Sequence, residues 1–491
     1  MEPRGPLRAA TYRPQWDSSP ADTGRPDSVQ PTPPVAGPVP ERGDGLVLAA
    51  AAVLMLAVLG FIAGGVFWRS DMLAGLVVTP VLVLLTLPLA RAAGQACPRF
   101  DAGSLVMLGL GAKLLGVQAR YYTIEGVYNG LGDSTSYDTW GRELAQQFIE
   151  LDFTAELQRS LLGTGFLRYL SGLVYVVVGS HQFAAFCVFG FFAFFGVYLM
   201  FRAVVLALPE ANHLRYGLLV FLWPSLLFWP ASVGKESWML MCLGIAVYGA
   251  ARVFMIRPGG FLILGLGLGG MVLVRPHVAI LVGAAIVPAY LLRRGGGLGP
   301  IGPAAKFIGL GVLMVGFALI AAQAERFFGF DELSADTFNE TLEQTQAQTT
   351  QGGSAYDPVV VRSPIDYPWA VVTVLVRPFP TEADNGQMLF TSLESFVLLT
   401  LLVLSIPRLG SIPRLASRRT FIIFAVVYVA MFCFAFAAMG NFGILARQRV
   451  QMLPVLFSLL VLPLASRSDE VEAAVDEPAD PITDLQRRRP M

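Results

Sequence analysis

Carboxylates and hydroxyls are concentrated in one short segment, residues 130–144, with the sequence Gly-Leu-Gly-Asp-Ser-Thr-Ser-Tyr-Asp-Thr-Trp-Gly-Arg-Glu-Leu. Asp133 and Tyr137 are four residues apart, so a helix that begins near Ser134 would place both side chains on one face. Asp133 could then serve as a general base for an acceptor hydroxyl or as a metal ligand, and Asp138 offers a second carboxylate on an adjacent face. The same spacing equally predicts an ordinary Asp N-cap, so both hypotheses stay open.

Cationic side chains recur at the ends of apolar stretches elsewhere in the chain. They are Lys235 before Glu236, Arg275-Pro276-His277, Arg377 with Glu382, and Arg447 and Arg449 after Asn441. A cation at this depth in a bilayer either lines a polar path or extends to the interface. Arg binds phosphate oxygens through two parallel hydrogen bonds, and Lys adds a point charge. Together, these residues favour a ligand with a phosphate headgroup.

The composition places these residues in a membrane protein. Of 491 residues, 55% are hydrophobic and 14% are charged, with a formal net charge of zero. Soluble domains carry about 45–50% apolar and about 25% charged residues, so a soluble enzyme and a nucleic-acid binder are excluded. Cys97, Cys187, Cys242 and Cys433 lack metal-like spacing and are expected to be free thiols. With three histidines, a His-based zinc site is not expected.

Apolar stretches predict an all-α fold, a polytopic helical membrane bundle with about 12 spans and a range of about 11–14. The predicted spans are 46–68, 72–90, 103–119, 183–205, 215–229, 236–255, 260–274, 277–292, 304–323, 389–407, 420–439 and 449–465. Two shorter stretches, 166–179 and 367–377, are predicted re-entrant or interfacial helices. The bundle covers 46–465, between a disordered Pro-rich tail at 1–45 and a charged tail at 466–491. A glycine-rich run at 265–270 lies in mid-span, which predicts close helix packing.

The positions of the basic residues predict the orientation. If 166–179 does not cross, the basic residues of the short connections fall on one side, which is predicted to be the cytoplasm. They include Arg91, Arg99, Arg202, Arg215, Arg252, Arg257, Arg293, Arg294, Lys306 and Arg408 to Arg419. Both termini are then cytoplasmic, and two long acidic loops, about 120–163 and 324–388, face outward. If 166–179 does cross, several of these arginines move outside, which the charge rule disfavours.

Several of these segments resemble known membrane enzymes. The motif Gly-Asp133-x-x-x-Tyr137-Asp138, in a first large outward loop, is similar to that of the GT-C superfamily of membrane glycosyltransferases, in which an acidic residue of that loop serves catalysis. Residues 223–236 and 441–454 resemble segments of bacterial polysaccharide polymerase-like membrane proteins, whose outward arginines hold a lipid-linked substrate. The likeness in outline covers residues 46–465. Many members of the superfamily place the acidic residue nearer the first span, whereas in this chain the loop follows the third predicted span. The loop also has no Asp-x-Asp pair, which leaves metal dependence open.

The resemblance implies a role for each matching residue. Asp133 would be the catalytic base, with Asp138 as its alternate or as a metal ligand. The implied substrate-binding residues are Tyr137, Lys235, Arg275, His277, Arg377, Glu382, Arg447 and Arg449. Apart from a divalent metal ion, which stays open, no cofactor is implied.

The predicted function is an integral-membrane glycosyltransferase or polysaccharide polymerase in the cell membrane. It would transfer sugar from a polyprenyl-phosphate or diphosphate donor to a glycan or lipid acceptor at the outer face, in cell-envelope synthesis. One alternative is a transporter or flippase for a lipid-linked or anionic solute, for which Lys113 inside a predicted span is the best sign. The other alternative is a non-catalytic envelope assembly subunit. No nucleic-acid partner is expected.

Overall fold

A computed structural model of the protein describes residues 42–66, 70–153, 162–293, 302–328 and 354–464. Nearly all of the predicted tail at 1–45, the whole of 466–491, and residues 329–353 of the second long loop lie outside the described residues. Every regular element in the described part is a helix, which agrees with the all-α prediction. The only strand-like pairing there is a single bridge between Ala355 and Asn441.

The described helices are numbered here in chain order. They are α1 (Arg42–Val66), α2 (Leu73–Ala96), α3 (Ala102–Tyr122), α4 (Asp133–Ile149), α5 (Thr164–Val178), α6 (Gln182–Ala207), α7 (His213–Leu222), α8 (Pro224–Phe228), α9 (Lys235–Phe254), α10 (Gly260–Val272), α11 (Pro276–Leu291), α12 (Gly302–Phe328), α13 (Tyr367–Val376), α14 (Gly386–Leu404), α15 (Ile406–Leu409), α16 (Ile412–Ala416), α17 (Thr420–Phe436), α18 (Phe442–Arg449) and α19 (Leu453–Leu460).

Seven of the described helices are long and apolar enough to cross a bilayer, which fits a helical membrane protein. Large apolar side chains cover their outer surfaces; Val77 is 70% exposed and Phe307 is 74% exposed. A surface of this kind needs lipid rather than water around it. Six further apolar helices have 10–17 residues, among them Thr164–Val178 and Tyr367–Val376 at the two predicted interfacial segments. The total of about 12 spans stays a prediction, because it requires several of these shorter helices to cross.

Glycines hold α9 against its two neighbours, α6 and α10. A Cβ on Gly244 of α9 would lie 2.1 Å from the carbonyl oxygen of Gly196 in α6, so only glycine allows this approach. On the other side, a Cβ on Gly267 of α10 would lie 2.3 Å from the Ala246 nitrogen. The predicted packing role of the 265–270 run is therefore confirmed at Gly267. The backbone of α9 therefore packs directly against the backbones of α6 and α10. This close packing also fixes the position of Lys235 and Glu236, which form the first turn of α9.

The predicted span 215–229 is interrupted by Pro224, so α7 and α8 are separate helices. Proline lacks an N–H and disfavours helical geometry in the residue before it, and Trp223 is accordingly extended, with φ −69° and ψ 125°. The buried Lys113 ammonium donates to the carbonyl oxygens of Leu226 and Leu227, at 2.9 and 3.2 Å. Lys113 therefore supplies hydrogen-bond donors to backbone carbonyls in the last turn of α8, inside the bundle.

Candidate functional site

A polar cleft opens at the end of the bundle where α9 begins. Its walls come from the end of α3, the start of α4, the turn before α9, and α18. The cleft is lined by Arg120, Ile124, Tyr128, Leu131, Gly132, Asp133, Ser134, Tyr137, Trp229, Ser232, Val233, Gly234, Lys235, Glu236 and Arg447. Three cations and two carboxylates therefore share one small space.

The end of α3 departs from regular helical geometry at this cleft. Residues Thr123–Val127 continue α3 as a π-helix, a form that occurs mostly as short bulges and frequently at functional sites. Arg120 lies just before the bulge, and Tyr128 follows it. The Tyr128 hydroxyl hydrogen-bonds with Arg120 and also donates to Oε1 of Gln387 in α14. The bulge thus presents a cation and a phenol to the cleft and links them to α14.

Asp133 is the first residue of α4, and the capping position belongs to Gly132. The ordinary N-cap interpretation of Asp133 therefore does not describe this helix. Its carboxylate is exposed at the cleft, and one turn further on Tyr137 is buried on the same wall. Burial, and then the neighbouring Asp133 carboxylate, raise the pKa of Tyr137 to about 12. Tyr137 is thus a neutral hydrogen-bond donor beside an accessible carboxylate.

Two guanidinium groups lie against one indole ring. The Cζ atoms of Arg120 and Arg447 are 5.1 and 5.3 Å from the ring centroid of Trp229, within the range of cation–π contacts. Arg120 is buried, and its Nε and Nη1 have no hydrogen-bond partner among the described residues; the same is true of Nε of Arg447. Buried donors of this kind are normally satisfied, so the cleft holds unused hydrogen-bonding capacity.

Lys235 and Glu236 occupy the first turn of α9. Among the described residues, no hydrogen bond or salt bridge is found for the Lys235 ammonium. Glu236 accepts from Nη2 of Arg275 at 3.1 Å, and Nη1 of Arg275 donates to Oε1 of Gln448 at 2.8 Å. Arg275 therefore lies behind the cleft wall, where it balances and holds Glu236. His277, in the first turn of α11, is not part of the wall.

Asp138 faces away from the cleft, toward α5. Both of its oxygens accept from Nε of Arg142 at 3.1 Å, and the Tyr175 hydroxyl donates to Oδ1. The carboxylate is buried and fully engaged. Of the two predicted catalytic carboxylates, only Asp133 lies at the cleft.

A second cluster consists of Tyr356, Arg377, Glu382, Phe442 and Arg449. Arg377 donates from Nε and Nη2 to Oε1 of Glu382 at 2.9 and 2.5 Å, and its Cζ lies 4.7 Å from the ring centroid of Tyr356. Arg449 is buried and donates to the carbonyls of residues 375 and 377 and to Ser395. The structure therefore places Arg377, Glu382 and Arg449 together, but outside the lining of the polar cleft.

An apolar groove, larger than the polar cleft, adjoins the cleft and shares Tyr128 and Trp229 with it. Its other walls are Thr123, Val127, Ser225, Phe228, Asn385, Gly386, Gln387, Phe390, Thr391 and Glu394. Val127 and Phe390 are 70% and 54% exposed, so the groove reaches the apolar surface of the bundle. An aliphatic chain could enter it from surrounding lipid.

Among the predicted residues, the cleft therefore gathers Asp133, Tyr137, Lys235 and Arg447. Sequence reasoning missed Arg120 and Tyr128 as members of this wall, and it named Glu236 and Trp229 only as neighbours of Lys235 in the segment 223–236. Arg120 could have been found by the pattern that indicated the other cations, because it too lies at the end of an apolar span. Among the described residues, no three His, Cys, Asp or Glu side chains are grouped as a metal site. The four cysteines are free and buried.

Comparison of the chain with protein-family models, with curated proteins and with solved structures found no match.

Proposed function

We propose that the protein is an integral-membrane glycosyltransferase that takes its sugar from a polyprenyl phosphate or diphosphate donor. One observation carries this proposal: a cationic cleft with an accessible carboxylate adjoins an apolar groove, and both share Tyr128 and Trp229. A molecule with a phosphate headgroup and a long hydrocarbon tail matches both surfaces at once. Its headgroup would lie among Arg120, Lys235 and Arg447, and its tail in the groove.

The proposed reaction is displacement at the anomeric carbon of the donor sugar. An acceptor hydroxyl oxygen forms a bond to this carbon, and the bond from the carbon to the phosphate oxygen breaks. The electron pair of that bond leaves with the phosphate, and the hydroxyl proton passes to the Asp133 carboxylate. The cations stabilise the negative charge that develops on the departing phosphate, so they act most strongly in the transition state.

Asp133 is favoured over Asp138 as the base because of their surroundings. A general base must reach the proton that it removes. Asp133 is exposed at the cleft, whereas Asp138 is buried between Arg142 and Tyr175. Tyr137 keeps its proton at neutral pH and can donate a hydrogen bond to the sugar or the acceptor. The acceptor is a glycan or lipid hydroxyl, and the reaction is proposed for the outer face of the cell membrane.

The surroundings of Lys113 favour this proposal over a transporter. A transporter typically carries charged groups near mid-membrane along the path of its substrate. The Lys113 ammonium is instead bonded to the carbonyls of Leu226 and Leu227 and is buried. Lys113 performs a packing role, whereas Arg120, Lys235 and Arg447 line the cleft at the end of the bundle where α9 begins.

The test is the variant Asp133→Asn in cells whose own copy of the gene is deleted, with incorporation of labelled sugar into envelope glycan as the readout. We expect a loss of at least about 100-fold, typical of removing a general base. Glu143→Gln is the matched control, because it removes an exposed carboxylate from the same helix, away from the cleft. Both variants should insert and melt like the wild type. Near-wild-type glycan in Asp133→Asn would overturn the proposal.

A further inference from the structure

The charges around the polar cleft do not cancel. Arg120, Lys235 and Arg447 line it together with Asp133 and Glu236. Arg275 lies directly behind and carries the salt bridge to Glu236. Four cations thus face two carboxylates, which leaves an excess of two positive charges when Arg275 is counted. A ligand with two negative charges would neutralise this excess.

The two arginines of the cleft are also incompletely bonded. Nε and Nη1 of Arg120 and Nε of Arg447 lack partners among the described residues. Each guanidinium can bind one phosphoryl group through two parallel hydrogen bonds. Both arginines line the same cleft and contact the same indole, so one ligand in the cleft can reach both groups.

We infer that Arg120 and Arg447 form a clamp for a diphosphate, with one phosphoryl group bound by each guanidinium. This inference rests on the proposed function and narrows its substrate class. A lipid-linked sugar with a diphosphate bridge carries two negative charges, whereas a lipid monophosphate sugar carries one. The cleft therefore selects the diphosphate-linked donor, and Arg120 is assigned as a binding residue for it. Lys235 supplies the third cation beside the bridge.

The experiment compares two synthetic lipids that differ only in one phosphoryl unit, the methyl ester of farnesyl diphosphate and methyl farnesyl phosphate. Binding of each to the detergent-solubilised full chain is measured by titration calorimetry. We expect the wild type to bind the diphosphate at least about tenfold more tightly, as for an added set of charge-assisted hydrogen bonds. Arg120→Gln and Arg447→Gln should each lose about tenfold for the diphosphate and less than about threefold for the monophosphate.

Two further variants complete the test. Arg257→Gln removes an exposed arginine just beyond the far end of α9, so it should change neither affinity. Arg120→Lys keeps the charge but loses the planar fork, so its diphosphate affinity should fall between those of the wild type and Arg120→Gln. It also keeps the test decisive if Arg120→Gln does not fold, as judged by its melting temperature.

Equal wild-type affinities for the two lipids, or equal losses for both in each variant, would overturn the diphosphate clamp. That result would leave the proposed transferase standing, because the Asp133 test measures sugar transfer and not the choice of headgroup. Conversely, lipid discrimination by the clamp together with full transfer in Asp133→Asn would remove the proposed reaction and keep the diphosphate site. The two failures are thus distinguishable.

Discussion

Arg447 and Arg449 belong to the same eight-residue helix, α18, yet their surroundings are opposite. Residues two positions apart on a helix point to nearly opposite faces. Arg447 faces the polar cleft, where its Nε has no partner among the described residues. Arg449 is buried among α13 and α14 and donates to two carbonyls and to Ser395. One arginine has hydrogen-bonding capacity for a ligand, and the other uses its capacity to hold the fold.

The same contrast separates the two groups of cations as wholes. In the second cluster, Arg377 bonds to Glu382 and lies over aromatic rings, so its charge is matched from within the chain. In the polar cleft, Arg120 and Arg447 share Trp229 and no carboxylate bonds to either among the described residues. A buried cation that is matched internally stabilises one structure. A cation left with open donors is better suited to binding a partner molecule.

The largest expected difference concerns stability. Arg449→Met would leave the carbonyls of Leu375 and Arg377 and the Ser395 hydroxyl without their donor inside the protein, which costs about 3 kcal/mol or more. Arg447→Met removes few hydrogen bonds and should change the free energy of unfolding by less than about 1 kcal/mol. Thermal melting of both variants in the same detergent measures the contrast.

Similar melting of the two variants would break the distinction between the two clusters. Arg449→Lys serves as the control within the site. It keeps the charge but cannot reach all three acceptors with a planar fork, so its melting temperature should lie between those of the wild type and Arg449→Met.

A smaller effect is expected at Lys235, and it concerns binding rather than stability. The ammonium lines the cleft, and none of its donors is engaged by the described residues. Lys235→Met should therefore weaken binding of the farnesyl diphosphate methyl ester by about threefold to tenfold, as for loss of one point charge. Its melting temperature should stay near that of the wild type. A large drop in melting temperature with unchanged binding would assign Lys235 to the fold instead.

The sequence predicted the helical membrane character, because composition and apolar run length directly reflect the solvent of the chain. It also predicted the segment that begins α4 and two of the three cations of the cleft, Lys235 and Arg447. It could not predict which of Arg447 and Arg449 lies at the cleft, because the packing of α18 against α13 and α14 decides which face of the helix is buried. Arg120 lies at the end of an apolar span like the other cations, but its contact with Trp229, which is distant in sequence, is not visible in that pattern. Convergence of this kind is a tertiary property, and spacing along the chain does not encode it.

The hydrogen-bond partners of Glu382 are a second feature that the sequence did not predict. The family resemblance implies that Arg377 and Glu382, at the end of an apolar stretch, bind substrate. The structure pairs them with each other, and Glu382 also accepts from the backbone N–H of Phe379 at 2.7 Å. Contact of these two residues with a substrate stays a prediction. Their mutual pairing matches both charges within the chain, outside the lining of the polar cleft.

The smallest expected effect is the pH dependence of the second cluster. Burial raises the pKa of Glu382, but the hydrogen bonds from Arg377 and from the Phe379 N–H outweigh it and hold the pKa below its ordinary value of 4.5. A carboxylate with a lowered pKa stabilises the folded state above its unfolded pKa and loses this contribution as the pH falls through the folded value. The melting temperatures of the wild type and Glu382→Gln should thus differ by a constant few degrees at neutral pH and converge below about pH 4.5. Melting both proteins from pH 3 to 7 tests this. A difference that persists unchanged at pH 3 would mean that the Arg377 pair does not stabilise the cluster through the Glu382 charge.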